Sequence, residues 1–210
     1  DMDSTILQIE TLDEIGHAIG KAREIAMITE TAMNGDIDFE TALRNRVKLL
    51  AGLNINQLIE LVLEKLLITQ GASTLVTTMK ANGAVTALVS GGFTVITEII
   101  REKLNFDLCH GNTLVVDSSI VTGDLKPPII DGNTKAAILH QECKRLEISR
   151  DDTLAVGDGA NDIPMLTEAS LGVGFMPKPV VKKHVSNKIE HCDLRGVLFL
   201  QGFAENEFIT

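Results

Sequence analysis

Asp1-Met2-Asp3-Ser4-Thr5 sets two carboxylates two positions apart, with two hydroxyl residues directly behind them. Such a stretch suits a loop that opens from the end of a β-strand. There one carboxylate can be aimed at a phosphorus atom while the other manages protons. A nucleophile so placed needs the strand that carries it, so an apolar β-strand is expected ahead of Asp1.

Two later stretches have the same character. Ala84–Val89 reads as a buried strand running into Ser90-Gly91-Gly92, and Thr153–Val156 as another running into Gly157-Asp158-Gly159-Ala160-Asn161-Asp162. Lys135 stands at the start of a helix expected over about 134–146. In an open parallel sheet, functional groups gather just beyond the C-terminal strand ends. Taken singly, each feature has a plain structural explanation: Ser90 and Asp158 as helix caps, Lys135 as a solvated charge, the glycines as turn residues. Their joint occurrence in this order points to a site. Asp158 and Asn161 supply oxygen donors of the kind Mg²⁺ takes beside water and phosphate. Gly157-Asp158-Gly159 lacks the third glycine of a dinucleotide loop and would set carboxylates against a pyrophosphate, so no nucleotide cofactor is expected.

The segment between the first two motifs has another rhythm. Ile9, Leu12, Ile15 and Ile19 recur at helical spacing, as do Phe39, Leu43, Val47 and Leu50, then Leu58, Val62 and Leu66. Asn34-Gly35-Asp36 and Gly52 punctuate the run. This predicts a helical cap over residues 9–71, inserted into an α/β core made of residues 1–8 and 72–210. Further on, Leu114-Val115-Val116 and Ile120-Val121 flank Asp117-Ser118-Ser119 and predict a β-hairpin at about 112–124. Helices near 74–81, 94–104 and 162–169 and a strand at 171–175 complete the β/α alternation of a Rossmann-like parallel sheet.

Composition removes several function classes. A formal charge of −10 argues against nucleic acid as a partner, because phosphate backbones call for clustered Lys and Arg. It also means that an anionic substrate would need a metal or well-placed cations. No apolar run approaches the roughly 20 residues that span a bilayer. Cys109, Cys143 and Cys192 form no C-x-x-C pair, and the adjacent His191 and Cys192 are poorly spaced to chelate one ion, so neither a disulfide framework nor a zinc site is indicated. A reducing cytoplasm is the expected setting.

Asp1-x-Asp3-Ser4-Thr5, Ser90-Gly91-Gly92-Phe93, Lys135 and Gly157-Asp158-Gly159-Ala160-Asn161-Asp162 together resemble the four motifs of haloacid-dehalogenase-type phosphatases (the HAD superfamily). Glu10, Ile28-Thr29-Glu30-x-Ala32-Met33, Asp38-Phe39 and Leu43-Arg44-x-Arg46-Val47 resemble the cap of its phosphoserine phosphatases. The similarity runs from Asp1 to about Leu198. It implies Mg²⁺-dependent hydrolysis of O-phosphoserine to serine and phosphate, the last step of serine biosynthesis.

In that scheme Asp1 is the nucleophile that becomes an aspartyl phosphate, and Asp3 is the general acid and then base. Asp1, the Asp3 carbonyl and Asp158 hold Mg²⁺, with Asp162 supporting them from behind. Ser90, the Gly91 amide and Lys135 grip the phosphoryl oxygens, and Asn161 orients substrate or nucleophile. Glu10 takes the substrate ammonium and Arg46 its carboxylate, while Met33 and Phe39 form an apolar wall. Read without the resemblance, Glu10 and Arg46 lie on predicted helices as solvated charges, and Met33 and Phe39 are core residues. Ala42, Ser118-Ser119, Pro127-Pro128 and Pro177 depart from the family pattern, and none removes a reacting group. Two other functions fit the same residues: a phosphotransferase that passes the phosphoryl group to an alcohol such as homoserine, and a silent phosphoserine or serine sensor. Retention of both Asp1 and Asp3 disfavours the sensor.

Overall fold

β1 (Ala87–Phe93) and β2 (Leu108–Asp117) lie parallel, with Ala87 opposite Leu108 and Val89 opposite His110, and α6 (Thr94–Leu104) crosses between them. The computed structural model describes all of residues 1–210. α6 buries Ile96, Thr97, Ile100 and Leu104, the three- and four-residue stripe of a helix packed on a sheet. Beyond Asn112, β2 leaves β1 and pairs antiparallel with β3 (Ile120–Lys126). The hairpin pairing starts with Thr113 opposite Lys126 and so ends two residues beyond the expected 112–124. Ser118 and Ser119 make its turn at φ 48° and 70°, the left-handed pair that matches strand twist in a two-residue loop. The first of these strands also lies later than the expected 84–89; Ala84 is tied into the end of the preceding helix by its N–H bond to the Met79 carbonyl (3.0 Å).

A second parallel sheet runs β4 (Leu154–Gly157), β5 (Leu171–Phe175), β6 (Asn187–Ile189). α7 (Gly132–Leu146) and α8 (Ile163–Glu168) pack together beside it, and α5 (Ala72–Ala81) and α9 (Gly196–Leu200) complete the layers. β6 and α9 are too short to leave a periodic signal in the sequence. β1 and β4 are not hydrogen-bonded to each other. A slot of about 870 Å³ lies there, lined by Leu88 and Val89 on one side, Ala155 and Val156 on the other, and α5 and α7 residues such as Val76 and Ile138. Asp1 stands in this slot, its α-amino nitrogen 2.9 Å from the Val156 carbonyl.

The segment expected as a cap contains four helices, α1 (Thr11–Ala18), α2 (Ala22–Met33), α3 (Phe39–Lys48) and α4 (Ile55–Lys65). The chain crosses into and out of it side by side: Gln8 N–H donates to Leu67 O (2.8 Å) and Thr69 N–H to Ile6 O (2.9 Å). α2 buries only Ile25, which is why no apolar stripe separates it from α1 in the sequence. A second fastening joins the cap to the hairpin. Gly52 N–H donates to Val121 O, Val121 N–H to Leu53 O and Ile55 N–H to Ser119 O, each at 2.9 Å. Cap residues Leu43, Val47, Leu50, Leu58 and Val62 belong to the same apolar cluster as Phe93, Ile96 and Ile100 of the core. The cap thus shares the core's hydrophobic stabilisation and has no separate one. No helix is long and apolar enough to cross a membrane.

Candidate active site

The chain from Met2 to Ile6 coils into one wide turn, closed by Leu7 N–H donating to Met2 O at 2.8 Å. Ser4 sits inside it at φ 55°, a left-handed conformation that is uncommon for a residue with a Cβ. Two bonds hold it there: Ser4 N–H to Ile9 O (3.1 Å) and Ser4 Oγ–H to Glu10 Oε1 (2.8 Å). β1 leaves room for the turn because position 92 is glycine. A Cβ there would stand 3.0 Å from Met2 Cε and 3.4 Å from Asp3 Oδ2.

Lys135 lies one turn into α7, whose start is capped by Asp131 Oδ1 accepting Thr134 N–H (2.7 Å). Its side chain is fully buried, and its ammonium lies 2.6 Å from Asp1 Oδ1 and 2.6 Å from Asp162 Oδ1. Asp162 Oδ2 in turn accepts Asp158 N–H (3.2 Å) and Gly159 N–H (3.0 Å), so both its oxygens are engaged by protein donors. Burial pushes the Asp162 carboxyl up, but Lys135 and the neighbouring amides outweigh it and hold the group below its ordinary value. Buried Asp158 accepts from Thr5 Oγ1 (3.3 Å) and faces Lys178 Nζ (3.1 Å). Burial keeps its carboxyl above the ordinary value against the pull of Lys178, with Asp162 adding to the rise.

Carboxylate oxygens of Asp1, Asp158 and Asp162 all lie within 4.8 Å of one another. An all-oxygen set with one under-compensated carboxyl, Asp158, fits a hard divalent cation such as Mg²⁺. It does not suit zinc, which favours nitrogen and sulfur.

Asp3 points elsewhere. Its Oδ2 accepts the Thr11 hydroxyl at 3.0 Å, while its Oδ1 is buried without a partner. Burial, helped by Glu10 and opposed by the bonds from Thr11, raises its pKa from 3.8 to about 7. A carboxyl that exchanges its proton near neutrality, with one oxygen uncommitted, is equipped for acid–base work.

Across the cleft, buried Ser90 accepts Gly92 N–H at 2.8 Å, which leaves its hydroxyl hydrogen to donate. Phe39, the first residue of α3, covers Gly91; a Cβ on that glycine would meet Phe39 Cζ at 3.3 Å. Asn161 folds back over Gly159, where a Cβ would come within 2.6 Å of its Oδ1. Arg46 turns a buried, unpartnered Nε inward, and burial lowers its pKa against the attraction of Asp13 and Glu10. Glu10 is not on a helix, as its periodic neighbours suggest, but in the extended residue that caps α1 (φ −98°, ψ 105°). Met33 is 83% exposed at the end of α2, where it lines a cavity of about 350 Å³ with Asp13, His17 and Glu30.

Four residues escaped the sequence reading. Asn112 is fully buried and ties two loops together, donating from Nδ2 to Gly91 O (2.7 Å) and accepting Ile130 N–H (2.8 Å). Thr11 holds Asp3, and Asp13 is an acidic neighbour of Arg46. Lys178, which bonds to both Asp158 and Glu10, follows the end of β5. The strand-end rule that singled out the other motifs applies equally there.

The chain is similar to known proteins over nearly its whole length. The sequence model of the haloacid dehalogenase-like hydrolases matches residues 1–167. A probable phosphoserine phosphatase of Schizosaccharomyces pombe is 40% identical over 209 residues, 99% of this chain and 70% of that protein. The phosphoserine phosphatase of Methanocaldococcus jannaschii is 40% identical over 198 residues, 94% of this chain and 93% of that one. Among solved structures, a phospho-aspartyl intermediate analogue of phosphoserine phosphatase superposes with a TM-score of 0.88 at 40% identity, covering 95% of each chain. A substrate-bound phosphoserine phosphatase complex also gives a TM-score of 0.88, at 39% identity and 95% of each chain.

Proposed function

The chain belongs to the haloacid dehalogenase-like hydrolase family, and from that premise we propose that it hydrolyses O-phosphoserine to serine and inorganic phosphate through an aspartyl phosphate on Asp1. The observation that carries this is the pairing of two unlike carboxyls on one turn. Asp1 is held against the buried Lys135 ammonium, and Asp3 is buried with a pKa near 7.

In the first step an Asp1 carboxylate oxygen forms a bond to phosphorus as the bond from phosphorus to the serine oxygen breaks. Asp3 gives its proton to that departing oxygen. In the second step water attacks the phosphorus of the aspartyl phosphate and loses a proton to Asp3, while Asp1 leaves as carboxylate. Ser90 Oγ–H and the Gly91 amide supply donors for phosphoryl oxygens, which gain charge in transfer. Lys135 orients Asp1 and adds a buried positive charge beside the phosphoryl group. Asp1, the Asp3 carbonyl and Asp158, with Asp162 behind them, would hold Mg²⁺, whose charge would offset repulsion between an anionic nucleophile and a phosphate dianion.

For the rest of the substrate, Glu10 takes the ammonium and Arg46 the carboxylate, to which its fork of donors is matched. The unpartnered buried Arg46 Nε supports this role, since an orphaned charged donor is costly to keep without a ligand. Phe39 shields the Gly91 side of the pocket from water. Three free thiols suit a reducing compartment, so the cytoplasm is the proposed setting.

The test is rapid-quench turnover of phosphoserine labelled in its phosphoryl group. Label should appear transiently on the peptide bearing Asp1 and then as inorganic phosphate, and Asp1→Asn should show neither. Phosphate release without labelled protein would refute the covalent route. Preferential transfer of label to added homoserine would make the enzyme a phosphotransferase.

A further inference from the structure

Lys178 leaves the end of β5 in Met176-Pro177-Lys178-Pro179, and its backbone N–H donates to the Asp158 carbonyl at 2.9 Å. The flanking prolines stiffen this segment, so the base of the side chain is fixed over the site. Its ammonium lies 3.1 Å from Asp158 Oδ2 and 3.2 Å from Glu10 Oε1. One alkylammonium therefore joins a carboxylate assigned to the metal and a carboxylate assigned to the substrate, one in the core and one at the entry to the cap. The side chain is 54% exposed on a flexible stem, so the ammonium can turn into water at little cost. Glu10 keeps the Ser4 hydroxyl at 2.8 Å and so stays in place when the lysine leaves.

We propose that Lys178 is a positioning residue, an internal ammonium that holds Glu10 and Asp158 together until the ammonium of an incoming amino-acid phosphoester takes its place on Glu10. Exchange of one primary ammonium for another leaves the charge on Glu10 balanced throughout. Lys178 then sets how strongly the site prefers aminated phosphoesters. It competes with those that carry an ammonium, and it shields those that do not from the Glu10 carboxylate. Because it also sits on Asp158, it weakens divalent-cation binding in the absence of substrate. The substrate half of this inference rests on the assignment of Glu10 to the substrate ammonium; the metal half does not.

The test compares wild type, Lys178→Met and Lys178→Arg. Calorimetric titration of Mg²⁺ into the metal-free protein should show Lys178→Met binding roughly two- to fivefold more tightly, the scale of one partly exposed ion pair. Lys178→Arg, which keeps the charge, should return towards wild type. At saturating Mg²⁺, Lys178→Met should lower KM for phosphoserine and raise KM for 3-phosphonooxypropanoate, the same ester without its amino group. Unchanged Mg²⁺ affinity would overturn the hold on Asp158. KM values that move together for the two esters would overturn the exchange, and a joint rise would make Lys178 a phosphate ligand instead. Glu10→Gln separates the premises: if it leaves KM for phosphoserine unchanged, the Glu10 assignment fails while the Mg²⁺ result stands by itself.

Discussion

Lys135 Nζ is equidistant from Asp1 Oδ1 and Asp162 Oδ1, 2.6 Å from each, and its side chain is fully out of contact with water. One buried cation thereby ties the nucleophile to the aspartate that braces the Asp158 loop. Lys135→Met leaves two carboxylates facing each other without countercharge. The variant should lose about 3–5 kcal/mol of stability in urea unfolding of the metal-free protein, the cost of breaking a buried pair. Turnover with Mg²⁺ present should fall by roughly 10²–10³, the usual loss when a transition-state donor is removed. Lys135→Arg should not restore it, because a planar fork cannot replace a point charge bonded to two carboxylates in so closed a space.

Asp3 gives a pH dependence with a definite sign. Its pKa rises from 3.8 to about 7 on folding, so between those values the folded chain binds the proton more tightly than the unfolded one. The stabilising contribution is whole below about pH 4 and is lost as pH rises through 7. Asp3→Asn cannot lose a proton. It should therefore gain stability over wild type above pH 7, on the order of 2 kcal/mol after allowance for screening, and match it at pH 4. Denaturant unfolding of metal-free protein at the two pH values measures this, and equal stability at pH 8 would contradict the raised pKa.

Thr11 tunes that same carboxyl. Its hydroxyl donates to Asp3 Oδ2 at 3.0 Å and favours the ionised form, opposing burial. Thr11→Val should move the Asp3 midpoint upward in a carbon-13 carboxyl titration of metal-free protein. It should also slow hydrolysis of the aspartyl phosphate, for which Asp3 must be ionised to accept a proton. A downward shift would show that Thr11 acts through packing alone.

Gly157 ends β4 directly against Asp162, and a Cβ there would fall 2.5 Å from Asp162 Cγ. No flexible side-chain end is available to yield, because Asp162 is fixed by Lys135 and by two backbone amides. Gly157→Ala should cost about 1–3 kcal/mol by overpacking and should weaken Mg²⁺ binding as Asp162 shifts. Thermal unfolding and Mg²⁺ titration of the same sample test both.

The strand-end motifs are legible because an apolar run leads into residues with their own chemistry, and Ser90, Lys135 and Asp158 point to a site only in combination. What the sequence concealed depends on neighbours far along the chain. Asp3 reaches a pKa near 7 chiefly by burial in the folded chain, helped by Glu10, and Asn112 matters only because Gly91 and Ile130 meet there. Glu10 looked helical because periodicity does not register a cap residue in extended conformation. Met33 ends α2, whose single buried residue, Ile25, gave the sequence no firm face to orient.

The slot between β1 and β4 makes a last prediction. Its lining includes Leu75, Val76, Leu88, Val89, Ile138 and Val156, and the main-chain edges of both strands border it. Apolar walls on both faces, with backbone partners on both sides, match one extended apolar segment of a sheet buried by helices. A chain carrying five or six residues rich in Val, Ile and Phe ahead of Asp1 should place them there, continuing from the contact of the Asp1 nitrogen with Val156 O at 2.9 Å. Each side chain buried in this way contributes about 1.5–3 kcal/mol. The thermal midpoint should then rise by roughly 5 °C or more, and amides along β1 and β4 should exchange with solvent more slowly. A polar extension of equal length, built from Ser, Glu and Lys, is the control. If both extensions shift stability and exchange alike, the slot does not accept a strand.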